Sequence, residues 1–189
     1  MPERVIRGVD YDLIVIGSGP SGEKGAAQAA YFGKKVAMIE KEGFPGGAAA
    51  NTGTLPSKTL RETALHLSGF RKREIYGLDF DFNQRINAKN FLHHFHNVRS
   101  RERDRIGRNM TRHNVDVIHG TASFADANTL LITRQDGSTQ TLSAEKILIA
   151  TGTRPHHPDS YPWHDARLFE SDTFQFPNFP KQCSSLAAG

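Results

Sequence analysis

The chain has 189 residues, 37% of them apolar, enough for one packed core and a little short for two ordinary domains. Its mean hydropathy of −0.52, with no long apolar run, excludes a membrane-spanning helix. A single cysteine, Cys183, excludes an internal disulfide and a cysteine-built zinc site, and a net charge of +4 is only mildly basic.

The opening MPERVIRGVDYDLIVIG has no small-residue cleavage site of a signal peptide, so a cytoplasmic chain is expected. Tyr11 to Ile16 is short, β-branched and continuously apolar, the pattern of a strand buried on both faces. Gly17 to Gly22 breaks it. Glu23 to Phe32 is rich in alanine and predicts a helix with a small face able to lie close on a sheet, ended by Gly33. Lys35 to Glu40 (KVAMIE) predicts the next strand, completing a βαβ unit of the kind that builds a parallel sheet.

A glycine- and alanine-rich loop is expected from Gly43 to Gly53. Pro56 suits a first helical turn, and the helix is expected from Ser57 to about Lys72. After a looser stretch, Glu74 to Asn87, a longer helix is expected from about Ala88 to His113. Phe91, Phe95, Val98, Ile106 and Met110 follow helical spacing there. Arg101, Arg105, Arg108 and Arg112 can share one face of that helix. No aromatic residues are interleaved for base stacking, so a solvated face is preferred over a phosphate-binding stripe, and no nucleic acid is expected as a partner. His93, His94 and His96 diverge around the helix axis instead of lying at i, i+4, so surface histidines are expected and no metal site. The same holds for His156, His157 and His164.

The period then changes. Val115 to Ile118, Ala122 to Phe124, Thr129 to Thr133 and Thr139 to Leu142 predict short strands, with Asp136-Gly137 as a hairpin turn. Lys146 to Ala150 predicts a further buried parallel strand, ending in Thr151-Gly152. Beyond Pro155 the chain has no clear period and is expected to be an extended linker.

Gly17-x-Gly19-x-x-Gly22 lies between a predicted strand and a predicted helix. The first glycine permits a tight turn, the second lets backbone amides approach a pyrophosphate, and the third permits close helix–strand packing. The helix N-terminus adds partial positive charge. Glu40 ends the next strand eighteen positions after Gly22, where a carboxylate can accept from ribose hydroxyls. Dinucleotide binding follows, with FAD and NAD both open at this point.

The stretch Gly46-Gly47-Ala48-Ala49-Ala50-Asn51-Thr52-Gly53-Thr54-Leu55-Pro56-Ser57-Lys58 resembles the flavin-facing segment of the pyridine nucleotide–disulfide oxidoreductases. Gly120-Thr121-Ala122 resembles that family's segment beside the adenine, and Ala150-Thr151-Gly152-Thr153-Arg154-Pro155 its ATG-x-x-P segment. The resemblance implies an α/β, Rossmann-like FAD-binding domain over residues 1–155. Its elements would be a parallel sheet, a small antiparallel β-meander and two longer helices, with residues 156–189 as a linker or tail toward a nicotinamide-nucleotide domain. It implies FAD as cofactor, held by Gly17, Gly19, Pro20, Ser21, Gly22, Glu40, Lys41, Gly46, Gly47, Thr52, Gly53, Thr54, Lys58, Gly120, Thr121, Ala122, Ala150, Thr151 and Gly152. Lys58 is the implied catalytic residue, a positive charge near the flavin N5/O4 edge that favours hydride acceptance; without the Pro-Ser-Lys context it reads as a solvated lysine.

Ala49 and Thr54 stand where the disulfide reductases carry their two cysteines, so electrons cannot pass from flavin to a dithiol. Hydride exchange with a soluble acceptor remains. The segments AANTGTLPSKTLRE, KREIYGLD and LSAEKILIATGTRPHHP resemble the branch that moves hydride from NADPH through FAD to NAD⁺. A non-catalytic flavin-binding module, or a thiol-less relative that reduces a quinone or other small acceptor, are the rival readings. The family resemblance further implies a nicotinamide domain and a homodimer interface in a full-length form. Pro180-Lys181 leads into QCSSLAAG, a poor strand; one back-translation read in a shifted frame gives Ala-Val-Leu-Val-Val-Gly-Gly, so a frameshift near Lys181 is expected, a deliberately cut domain being the alternative. A chain of this extent is expected to hold FAD weakly and to lack efficient turnover.

Overall fold

The computed structural model describes residues 8–72, 87–165, 168–170 and 172, with the backbone alone for 69–72. Of the sequence features read above, KREIYGLD after its first residue, most of the looser stretch after residue 73, Pro180-Lys181 and Cys183 lie outside the described residues. The elements run β1 (Tyr11–Ile16), α1 (Pro20–Tyr31), β2 (Val36–Glu40), α2 (Gly47–Asn51), α3 (Thr54–Lys72), α4 (Ala88–Arg112), β3 (Asp116–His119), β4 (Thr121–Phe124), β5 (Thr129–Thr133) and β6 (Thr139–Ile149).

The strand order is β3-β2-β1-β6-β5-β4. The first four strands are parallel, with Ile14 opposite both Ala37 of β2 and Ile147 of β6, and Ala37 opposite Asp116 of β3. β4, β5 and the first half of β6 form the antiparallel meander, with Leu130 opposite Leu142. This is the α/β architecture expected.

Successive side chains of a strand point to opposite faces, which explains the unbroken apolar runs of β1 and β2. Ile14, Ala37 and Ile39 face the meander and pack with Leu130, Ile132, Leu142 and Ala144. Val15, Val36 and Met38 face the helices and pack with Ala26 of α1, Met110 of α4 and Val115. Ile14 and Met38 are fully buried, each contributing about 2–3 kcal/mol through area removed from water.

Three of the departures from the sequence reading have a clear physical reason. First, residues 139–149 form one strand where two were expected, and β6 exchanges an antiparallel neighbour for a parallel one at Ser143-Ala144. Polar Ser143 and Glu145 look like a break, but their backbone groups are met. Asp10 Oδ2 accepts from Ser143 N at 2.9 Å, and Asn128 Nδ2 donates to the carbonyls of Ala144 and Glu145 at 2.9 and 3.2 Å. Second, the expected loop of residues 43–53 contains α2, a single alanine-rich turn. Third, α3 begins at Thr54, ahead of Ser57, because Ser57 N already donates to Gly53 O at 2.9 Å. α4 starts at a reciprocal cap, Asn90 N donating to Asn87 Oδ1 at 2.9 Å and Asn87 N to Asn90 Oδ1 at 3.2 Å. Among the described residues no helix is long and apolar enough to cross a membrane.

Candidate functional site

β1, β2, β3 and β6 are parallel, so their carboxyl ends share one edge of the sheet, the edge where open α/β sheets bind ligands. The glycine turn after β1 is held there by Gly17 N donating to Ile39 O at 2.8 Å. A Cβ on Gly17 (φ +103°) would stand 2.4 Å from Ala150 O, and one on Gly22 would stand 1.9 Å from Gly17 O. Both positions are closed to side chains by backbone. A Cβ on Gly19 would meet nothing within 4 Å, so the space over the middle glycine is open. Gly47 approaches from the other side, its ideal Cβ 3.0 Å from Gly19 Cα. The predicted pair Gly46-Gly47 therefore folds directly against the predicted glycine turn.

Glu40 is 5% exposed. Its Oε2 accepts from Ser18 N at 3.0 Å and from Ser18 Oγ, and its Oε1 accepts from Glu42 N at 2.8 Å. Gly120 N donates to Glu40 O at 2.9 Å, which brings Gly120, Thr121 and Ala122 beside the end of β2. A side chain at Gly120 would collide with Ile132 Cγ2 at 2.7 Å and Thr133 O at 2.9 Å. On the other flank, Ala150 N donates to Ile16 O at 2.9 Å and leads Thr151 and Gly152 (φ +71°) away from the same edge.

The remaining expected residues are more open. Pro20 and Ser21, in the first turn of α1, are exposed, as are Lys41, Thr54 and Thr121. Lys41 pairs with Glu42 at 3.6 Å. Lys58 is 70% exposed and lies 3.8 Å from Glu62 one turn on. Gly53 N donates to Ala48 O at 2.7 Å, fixing the α2–α3 corner. Beside it, Thr52 Oγ1 is buried without a hydrogen-bond partner.

Three features of the site escape a reading by motif. Ser18, between the first two glycines, is fully buried, and its hydroxyl also accepts from Gly46 N at 2.9 Å. Asn51 of α2 accepts from Arg103 Nε at 2.6 Å, and the Arg103 guanidinium lies 3.6 Å over the Phe44 ring. Glu23 of α1 is 2% exposed and receives both terminal nitrogens of Arg105 at 3.1 and 3.0 Å. Arg101, Arg105, Arg108 and Arg112 are all exposed, as expected, but Arg105 also reaches inward to this carboxylate. The histidines of α4 are exposed. His93 contacts Asn97 at 3.0 Å and His96 contacts Arg99 at 3.4 Å, with burial and then Arg99 holding the His96 imidazole below its ordinary pKa. His157 stacks on Trp163 and pairs with Glu170.

The open space over Gly19, the amides at the start of α1 and the unpartnered Thr52 hydroxyl fit a phosphate-bearing dinucleotide at this edge.

The model of the pyridine nucleotide-disulphide oxidoreductase family matches residues 11–179. The soluble pyridine nucleotide transhydrogenase of Mycobacterium tuberculosis (strain ATCC 25177 / H37Ra) is 40% identical over 182 residues, 95% of this chain and 39% of that protein. The one from Colwellia psychrerythraea is 37% identical over 164 residues, 87% of this chain and 35% of that protein. A solved Cu(II) complex of the HOCl-induced flavoprotein disulfide reductase RclA from Escherichia coli superposes with a TM-score of 0.64 and 26% identity, over 79% of this chain and 30% of that one. The chain therefore spans about two fifths of the length of the curated relatives it matches. The family and the flavoprotein likeness imply a flavin cofactor. On a match that runs through nearly all the described elements, the chain belongs to the pyridine nucleotide–disulphide oxidoreductase family.

Proposed function

We propose that this chain is the FAD-binding portion, residues 1–155 with a linker over 156–189, of a flavoprotein that transfers hydride from NADPH to NAD⁺. The observation that carries this reading is the pairing of an open glycine turn at the strand edge with a neighbouring α2–α3 corner that has no thiol. Ala49 and Thr54 occupy that corner, so the chain has no dithiol to relay electrons onward to a disulfide. The likeness to soluble pyridine nucleotide transhydrogenases supports the direct hydride alternative.

FAD, when bound, supplies reversible acceptance and donation of a hydride, so that NADPH is oxidised to NADP⁺ and NAD⁺ is reduced to NADH. The chain's own residues do the binding. The first turn of α1, with Gly17, Gly19, Pro20, Ser21 and Gly22, receives the pyrophosphate. Glu40 and Lys41 take the adenosine ribose, and Gly120, Thr121 and Ala122 flank the adenine. Gly46, Gly47, Thr52, Gly53 and Thr54 line the path toward the ring, with Ala150, Thr151 and Gly152 on its far side. Lys58 brings a positive charge to the ring edge. In this reading the full-length form works in the cytoplasm as a homodimer, with NADPH and NAD⁺ as substrates.

The test is a visible absorption spectrum of the purified chain after incubation with FAD and desalting, followed by anaerobic NADPH. A weakly retained flavin that NADPH does not bleach is expected, since the chain spans 39% of the transhydrogenase relatives. Bleaching by NADPH would show that the nicotinamide half is dispensable. Failure to bind any FAD would overturn the reading of the site.

A further inference from the structure

Glu23 follows the glycine turn directly and is 2% exposed. Its position opposes the purpose of the turn. The first turn of α1 presents free N–H groups and partial positive charge to a phosphate, and a bare anion inside the same turn would cancel both. With almost no exposure, solvent cannot screen it.

α4 supplies the compensation. Arg105 donates Nη1 to Glu23 Oε1 at 3.1 Å and Nη2 to Oε2 at 3.0 Å, and Asn109 Nδ2 donates to Oε1 at 2.8 Å. Lys24 Nζ stands 3.9 Å from Oε1 but is 70% exposed. Arg105 is itself fixed from behind by Glu102, which accepts from Nε at 2.9 Å and from Nη2 at 2.8 Å. Packing alone does not call for this arrangement, because two apolar side chains would hold α1 on α4 at least as well. What the bidentate pair adds is a countercharge on the carboxylate of the first turn, held in one orientation.

We propose that Arg105 is a positioning residue for the dinucleotide pyrophosphate, acting through Glu23: it removes the carboxylate's charge from the anion-receiving turn of α1 and fixes that turn's orientation. The proposal rests on the dinucleotide reading of the strand edge. It separates Arg105 from the other arginines of α4.

The experiment is FAD binding, by quenching of flavin fluorescence, to the whole chain and to the variants Arg105→Met, Glu23→Gln and the double variant, with thermal unfolding of each as a control. Arg105→Met leaves a buried anion at the turn and is expected to weaken FAD by about tenfold or more. Glu23→Gln keeps the side-chain shape without the charge and is expected to bind FAD within about threefold of the parent chain, or more tightly. The double variant is expected to recover the affinity that Arg105→Met loses. A pair serving only as a clamp gives the opposite result: Glu23→Gln weakens FAD, and the double variant is no better than Arg105→Met. That outcome overturns the proposal, and Glu23→Gln alone decides it if Arg105→Met does not fold. Absence of FAD binding by the parent chain instead overturns the reading of the strand edge itself.

Discussion

Ser18 and Glu40 form a buried two-point contact, with the Ser18 amide and hydroxyl both donating to one carboxylate oxygen, the amide at 3.0 Å. The same hydroxyl accepts from Gly46 N at 2.9 Å, so one side chain ties together the turn after β1, the end of β2 and the glycine pair at the start of α2. Ser18→Ala removes the hydroxyl and leaves the two backbone-mediated contacts, Ser18 N to Glu40 and Gly46 N to Ser18 O at 3.1 Å. The expected loss is about 1–2 kcal/mol in urea unfolding, with a larger proportional loss of FAD affinity as Glu40 and Gly46 drift apart. Unchanged FAD affinity would mean that the two backbone contacts suffice.

Gly22 and Gly107 provide an opposed pair of alanine substitutions. A methyl group at Gly22 would meet Gly17 O at 1.9 Å and Val15 Cγ1 at 3.3 Å, so α1 must move off the sheet. Thermal unfolding of Gly22→Ala should show a loss of about 3 kcal/mol, with FAD binding abolished. Gly107 lies inside α4, where a methyl group meets nothing within 4 Å. Gly107→Ala should gain about 0.5–1 kcal/mol by restricting the unfolded chain.

Two hydrogen-bonded groups at the start of β1, Tyr11 and Asp10, give stability pH dependences of opposite sign. Tyr11 OH donates to Asp116 Oδ2 at 2.9 Å; burial, and then this bond, push the phenol up to about 12. The folded state therefore favours the protonated phenol. That contribution is complete below the unfolded value near 10 and is lost as pH rises through about 12. Tyr11→Phe should be about 1 kcal/mol less stable than the parent at neutral pH, with the gap closing between about pH 10 and 12. At the acid end, the Ser143 amide and hydroxyl hold the Asp10 carboxyl below its ordinary 3.8. The contribution of Asp10 is present above that value and disappears as pH falls through the lowered one, so Asp10→Asn and the parent chain should converge in acid. Urea midpoints across pH measure both.

The sequence was legible wherever local pattern and long-range packing require the same residues. Tyr11 to Ile16 is one apolar run because both its faces are buried, and the glycines at 17 and 22 stand where backbone excludes a side chain. The pattern was less legible where polar residues continue an element. Ser143 and Glu145 resemble the end of a strand, yet Asp10 and Asn128, distant in sequence, satisfy that backbone and carry β6 through. Ser18 was invisible because the fingerprint leaves its position unspecified. Arg105 is exposed as its helical spacing suggests, but that spacing does not report the carboxylate 82 positions away that it meets.

Lys58 separates helix chemistry from flavin chemistry. Its side chain is 70% exposed, and its partner Glu62, 3.8 Å away, is 54% exposed. Such an i, i+4 pair contributes only a few tenths of a kcal/mol, so Lys58→Met should leave the thermal midpoint almost unchanged. A positive charge beside a flavin stabilises the anionic reduced ring, and removing it should lower the reduction potential. For a two-electron couple, a fall on the order of 30 mV corresponds to about 1.4 kcal/mol. Anaerobic titration of the FAD-loaded chain against a reference dye measures the shift directly. A lowered potential with an unchanged unfolding midpoint assigns Lys58 to the cofactor. An unchanged potential leaves it a solvated lysine of α3, paired with Glu62 and remote from the ring.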